Sequence, residues 1–152
     1  MGKKVAIVLG SKNDMEYIEG AKDILTEFGI PYEVMVMSAH RTLDKVVDFS
    51  QKAEENGFGV IIACAGMAAH LPGVIAAKTH LPVIGVPLPT SEIRGIDALL
   101  AIVQMPSGVP VATMAIGRSG VKNAAILSAQ ILALEDTDLK TKLKKYKESL
   151  GK

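Results

Sequence analysis

Five short apolar runs, each followed by residues of helical period, limit this chain's possible folds more than any other feature. The first, Val5-Ala6-Ile7-Val8-Leu9, is apolar at every position, as a strand covered on both faces must be. Met15, Ile18, Ile24, Leu25 and Phe28 then recur at helical spacing, and Gly29 and Pro31 stop that helix. Tyr32 to Met37 reads as the second strand. Thr42 is placed to cap a helix carrying Leu43, Val46, Val47 and Ala53, closed by Gly57. Val60 to Ala63, Leu81 to Val86 and Val109 to Ile116 read as strands three to five. Helices are expected near Gly73–Thr79, Ile96–Gln104 and Ser119–Leu134.

Strands separated by helices pair in parallel through right-handed crossovers, with helices on both faces. The expected fold is therefore a three-layer α/β/α domain over residues 1–152. Its parallel five-stranded sheet has the flavodoxin-like order 2-1-3-4-5, with a switch point between strands one and three. The tail "DTDLKTKLKKYKESLGK" forms a charged helix over 136–150 with Leu139, Leu143, Tyr146 and Leu150 on one stripe.

Composition narrows the class of partner. The 17 Lys and Arg nearly cancel the 16 Asp and Glu, whereas a general nucleic-acid or anionic-membrane surface needs a basic excess. The basic start "MGKK" precedes an apolar run ended at Gly10, too short for a signal peptide's core or a membrane span. Ala6 stands where a myristoylation signal wants Ser or Thr. One cysteine forms no internal disulfide, which fits a cytoplasmic location. Aromatics are scarce at 4% while mean hydropathy is +0.30, so alanines and aliphatics do the packing and some apolar surface is expected in subunit contacts.

Ligands of an open parallel sheet bind beyond the carboxyl ends of its strands. The segments leaving strands one, two and three are "GSKND", "SAHRT" and "AGMAAH". The first suits an anion at a helix amino terminus; Ser11 adds a hydroxyl and Asp14 can accept from sugar hydroxyls. Ser11 or Asn13 serving as a plain helix cap explains the same loop. Arg41 offers a planar fork to a phosphate, or makes a surface salt bridge. His40 is the residue type that shuttles protons near neutrality, or a structural histidine bonded to backbone; Ser38 is its near neighbour. His70 is a ligand or loop-orienting candidate. His80 precedes strand four, at the opposite sheet edge, and is read as structural.

Other chemistries lack their motifs. The chain has no G-x-G-x-x-G or Walker A. A receiver's aspartate after strand three is replaced by Ala63-Cys64-Ala65-Gly66. Asp14, His40 and His70 are ligand types, but no paired spacing supports a metal. Cys64 lacks an activating partner and reads as a small buried thiol.

"GSKND", "SAHRT", "AGMAAHLPGVIAAKTHLPVIGVP", "QMPSGVPVATMAIG" and "NAAILSAQILAL" together resemble, in order, the PurE family of purine biosynthesis, to about Leu134. The likeness is to its class I mutase branch; the carboxylase branch, which takes aminoimidazole ribonucleotide and free carbon dioxide, differs after strand three. The resemblance implies a homo-octamer acting on a small ribonucleotide without metal, ATP or organic cofactor. It implies that a carboxylate moves from an exocyclic nitrogen to ring carbon C4. It places phosphate and ribose contacts on Ser11, Asn13, Asp14 and Arg41, with Ser38 in the same loop, and the catalytic histidine at His40. Gly66, Ala69, His70 and Leu71 match the loop that closes around base and carboxylate. Asn13 replaces the usual serine and Leu43 the usual proline. Cys64 and Met67 replace glycines, which limits positive φ and close backbone approach there. Arg94 is also unusual. The rival readings are the carboxylase branch, a non-enzymatic mononucleotide-binding module, and a flavin carrier short of aromatic rings to stack on its cofactor.

Overall fold

A computed structural model describes residues 2–152; Met1, first residue of the expected domain, lies outside them. Strands β1 (Lys4–Leu9), β2 (Tyr32–Val36), β3 (Phe58–Ala65), β4 (Val83–Pro87) and β5 (Ala112–Thr113) form one parallel sheet in the order 2-1-3-4-5, as expected. The helices are α1 (Glu19–Phe28), α2 (Leu43–Lys52), α3 (Leu71–Ala76), α4 (Ile96–Val103), α5 (Arg118–Leu132) and α6 (Thr137–Leu150).

The period of two in the strands sorts the core into halves. Val5, Ile7 and Leu9 of β1 and Val60, Ile62 and Cys64 of β3 bury one way, with residues of α1, α5 and α6. Ala6, Val8, Ile61, Ala63 and Ala65 bury the other way, with residues of α2, α3 and α4. This two-sided burial explains why the central strands are apolar at nearly every position. The tail helix joins the first half: Leu139 and Leu143 are buried and Tyr146 meets Phe28 edge-on, centroids 5.5 Å apart. Leu150, at the far end of that stripe, is exposed.

Three expectations need correction. The first helix is two pieces, a 3-10 segment Lys12–Tyr17 and then α1, joined at Ile18. Bonds three residues apart, Asp14 N to Ser11 O and Ile18 N to Met15 O, wind the segment too tightly for α geometry. Strand five shrinks to Ala112–Thr113. Pro110 has no N–H for a ladder, and Thr113 Oγ1 turns back to Val111 O. Thr42 precedes α2 without a side-chain cap bond. Its hydroxyl accepts from Ser38 N (2.8 Å) and donates to Ser38 O (3.2 Å), closing the turn between β2 and α2 instead.

The unusual residues of the β3–α3 loop separate on inspection. Cys64 lies inside β3, fully buried and paired in register with Leu9 and Val86, so no glycine conformation is needed there. Met67 has φ +54° and Ala69 φ +39°, both in the left-handed region that disfavours a Cβ. Arg94 is a third such residue at φ +56°, exposed and followed by the left-handed Gly95.

Candidate active site

The carboxyl ends of β2, β1, β3 and β4 lie side by side, and the segments leaving them wall a hollow of about 300 Å³. Gly10, Ser11 and Asp14 come from the first crossover, Ser38 to Arg41 from the second, Ala65 to Leu71 from the third and Thr90 from the fourth. Ser11, Asp14, Ser38, His40, Arg41, Gly66, Ala69, His70 and Leu71 are thus brought together as the sequence predicts. Asn13 is not: it is exposed on the 3-10 segment and does not line the hollow. Its backbone N–H instead donates to Ser11 Oγ at 3.2 Å, so Ser11 is both a helix cap and a wall residue.

Ser38 builds the second wall. Its Oγ accepts from the backbone N–H groups of His40 (3.3 Å) and Arg41 (3.1 Å), fixing the turn that projects both side chains. His70 is set by the third wall, where it precedes α3 and its carbonyl accepts from Val74 N. The two imidazoles then meet across the hollow, His40 Nε2 to His70 Nδ1 at 2.6 Å, with ring centroids 4.7 Å apart and planes at 70°. One ring must carry the shared proton and the other accept it, so the tautomer of each depends on its neighbour. His80 is exposed ahead of β4, away from this pair.

Charge is unevenly spread. Asp14 is 5% exposed, and none of the ion pairs among the described residues reaches it. Burial lifts its carboxyl above the usual value, a backbone bond at Ser11 partly offsets this, and Glu16 adds a smaller push upward. Arg41 is exposed at the rim, its guanidinium unengaged among the described residues. Burial, with a smaller push from Asp14, holds the Cys64 thiol neutral and unreactive. No cluster of three or more His, Cys, Asp or Glu suited to a metal forms among the described residues. A larger open cleft of about 920 Å³ lies at the other pole, beside Lys3, Pro31, Gly59 and Pro82, and holds none of these groups.

An anion fork, a buried acceptor and a coupled imidazole pair over a small-residue floor suit a phosphorylated sugar carrying a base that exchanges protons. The sequence profile of the AIR carboxylase family matches residues 4–152. This chain belongs to the AIR carboxylase family. Within it, the chain is 54% identical over 147 residues to the N5-carboxyaminoimidazole ribonucleotide mutase of Saccharolobus solfataricus, spanning 97% of this chain and 92% of that one. The Escherichia coli K12 protein of the same name is 52% identical, over 96% of this chain and 86% of its own. Treponema denticola PurE, a crystal structure, superposes with a TM-score of 0.87 at 32% identity, covering 97% of this chain and 90% of that one. The AIR carboxylase fold therefore extends over the whole wall of the hollow.

Sequence reasoning missed Thr90. It stopped at the loops leaving strands one to three, although the same rule applied to β4 would have pointed to "LPTSEIRG".

Proposed function

We propose that this chain is a mutase of purine biosynthesis, converting N5-carboxyaminoimidazole ribonucleotide into 4-carboxy-5-aminoimidazole ribonucleotide. The observation that carries the reading is the His40–His70 pair, 2.6 Å apart, in a hollow also walled by Ser11, Asp14 and Arg41. Relatives more than half identical over nearly the whole chain bear the mutase name, which favours this branch over the carboxylase.

Arg41 and Ser11 bind the phosphate, and Asp14 accepts from the ribose hydroxyls. The exocyclic N–C bond breaks, releasing carbon dioxide, and the nitrogen takes a proton to give aminoimidazole ribonucleotide. Ring carbon C4 then attacks the carbon dioxide, forming the new C–C bond, and C4 gives up its hydrogen as a proton to restore aromaticity. One proton is delivered and one removed, so His40 serves both steps with His70 holding its partner nitrogen. Substrate and product have the same composition. No electron or phosphoryl carrier is needed to balance the reaction. Holding carbon dioxide beside C4 replaces a dilute encounter with a large effective concentration.

The same reading takes the protein as cytoplasmic and homo-octameric. Ile93, Ile96, Leu100 and Val103 run along and just before α4 at spacings of three, four and three, between 45% and 58% exposed. An apolar stripe of this kind is suited to contact with further copies. No helix among the described residues is long and apolar enough to cross a membrane.

The test supplies the two substrates separately. Product from the carboxyamino compound without added bicarbonate is the expected result. Product only from aminoimidazole ribonucleotide with carbon dioxide would assign the carboxylase reaction. Nucleotide binding without product from either would leave a binding module.

A further inference from the structure

The loop leaving β4 puts one polar side chain into the hollow, and neither the histidine pair nor the phosphate contacts use it. Thr90 is exposed to that space. Its neighbour Ser91 commits its hydroxyl to Asp97 Oδ1 at 2.8 Å, which pins the loop to α4. The loop is held from below as well. Leu88 N donates to Ala65 O (2.9 Å), and a side chain on Gly95 would meet Ile116, Pro89 and Leu88. The Thr90 hydroxyl itself has no protein partner among the described residues.

Its position is set against Gly66. A Cβ at Gly66 would come within 1.9 Å of Thr90 Oγ1 and 3.2 Å of its Cβ. Gly66 is not at positive φ, so the glycine is there for space, and the space is filled by this hydroxyl. The β3–α3 side of the hollow is Ala65, Gly66, Met67, Ala68, Ala69 and Leu71, none with a side-chain hydrogen-bond donor, together with His70, whose Nδ1 is already paired with His40. An anion brought against such a wall loses water without compensation unless a donor is supplied.

Sheet order says which anion this is. Ser11 and Arg41, the residues proposed to hold the phosphate, follow β1 and β2, and β4 lies two strands beyond β1, about 10 Å away at ordinary strand spacing. That span carries a ribonucleotide from its phosphate to the far edge of its base. We infer that Thr90 donates a hydrogen bond to the migrating carboxylate, so that it distinguishes carboxylated from uncarboxylated nucleotide. The inference takes the identity of that anion from the proposed reaction.

The experiment measures, by calorimetry, the affinity of wild type, Thr90→Val and Thr90→Ser for 4-carboxy-5-aminoimidazole ribonucleotide and for aminoimidazole ribonucleotide. Valine keeps the shape and removes the donor; serine keeps the donor. Thr90→Val is expected to weaken binding of the carboxylated nucleotide by about ten- to a hundredfold, the range for a bond to a charged group. It should leave the uncarboxylated nucleotide almost unaffected, while Thr90→Ser behaves as wild type with both. Equal weakening of both nucleotides by Thr90→Val, or weakening of neither, overturns the inference. Thr90→Ala, read the same way, guards against a steric effect of valine. The wild-type two-substrate assay separates the two claims. A carboxylate-specific loss in Thr90→Val, with no turnover in the wild type, keeps the Thr90 contact and rejects the reaction; normal wild-type turnover with no specific loss in Thr90→Val does the reverse.

Discussion

His40 Nε2 and His70 Nδ1 stand 2.6 Å apart although their backbones leave different strands of the sheet. The contact makes the tautomer of one ring depend on that of the other. His40→Asn should retain nucleotide binding and lose turnover by about a hundredfold or more. His70→Asn should lower turnover less, and the double variant should be no worse than His40→Asn alone. Turnover and nucleotide affinity measured on all three variants check this; losses that simply add would mean the rings work separately, and near-normal turnover in His40→Asn would reject it as the shuttle.

Arg41→Ala removes the rim fork and leaves the histidine pair in place. Its main effect should be weaker substrate binding by about tenfold or more, seen as a raised KM with little change in kcat. Unchanged affinity would count against a phosphate role.

Burial of the Asp14 carboxyl makes stability depend on pH. Burial raises its folded-state pKa above the ordinary 3.8, so the folded chain binds the proton more tightly than the unfolded one. The contribution to stability is full below pH 3.8 and is lost as pH rises through the folded value. At neutral pH the ionised carboxylate is therefore a net cost. Asp14→Asn should raise the Tm at pH 7, lose that advantage as the pH falls toward 3.8, and weaken nucleotide binding. Thermal melts across that pH range, with one binding titration, check both effects.

Met67 bears a side chain at φ +54° and is 62% exposed, so little burial would be lost with it. Met67→Gly relieves roughly 1–2 kcal/mol of left-handed strain against roughly 0.5–1 kcal/mol of added chain entropy. The expected net gain lies between about zero and about 1.5 kcal/mol, a Tm rise of up to about 3–6 °C. A lower Tm would mean that the methionine makes contacts worth more than its strain.

Leu100→Glu places a charge in the middle of the exposed α4 stripe. Light scattering should report eight copies of the 16.1 kDa chain for the parent and a smaller particle for the variant. An unchanged mass would place the subunit contacts elsewhere.

The strands were legible because burial on both faces writes itself as unbroken apolar runs, as at Val5–Leu9. Strand five was overread: Val109, Val111 and Met114 look like strand residues, but Pro110 and an edge position leave a ladder of only two. The break at Ile18 was hidden because the same apolar spacing serves a 3-10 turn and an α-helix. Residues walling the hollow are legible where they follow strands one to three. The meeting of His40 and His70 was not, because thirty residues and a whole crossover separate them and only the sheet order makes them neighbours. Gly66 is expected as part of the loop that closes around base and carboxylate; that Thr90 Oγ1 takes the space of its missing side chain is not legible, because the two residues lie on different crossovers.

The hollow's walls come from four crossovers spread between Gly10 and Thr90. Every strand pairing that aligns them is parallel and joins distant parts of the chain, the kind of contact that forms slowly. Helices form locally, on the order of a microsecond, whereas those edges must find partners far along the chain. Recovery of activity should therefore trail the return of helical signal and arrive in one step, because a chain with one crossover still adrift has no partial version of the site to offer.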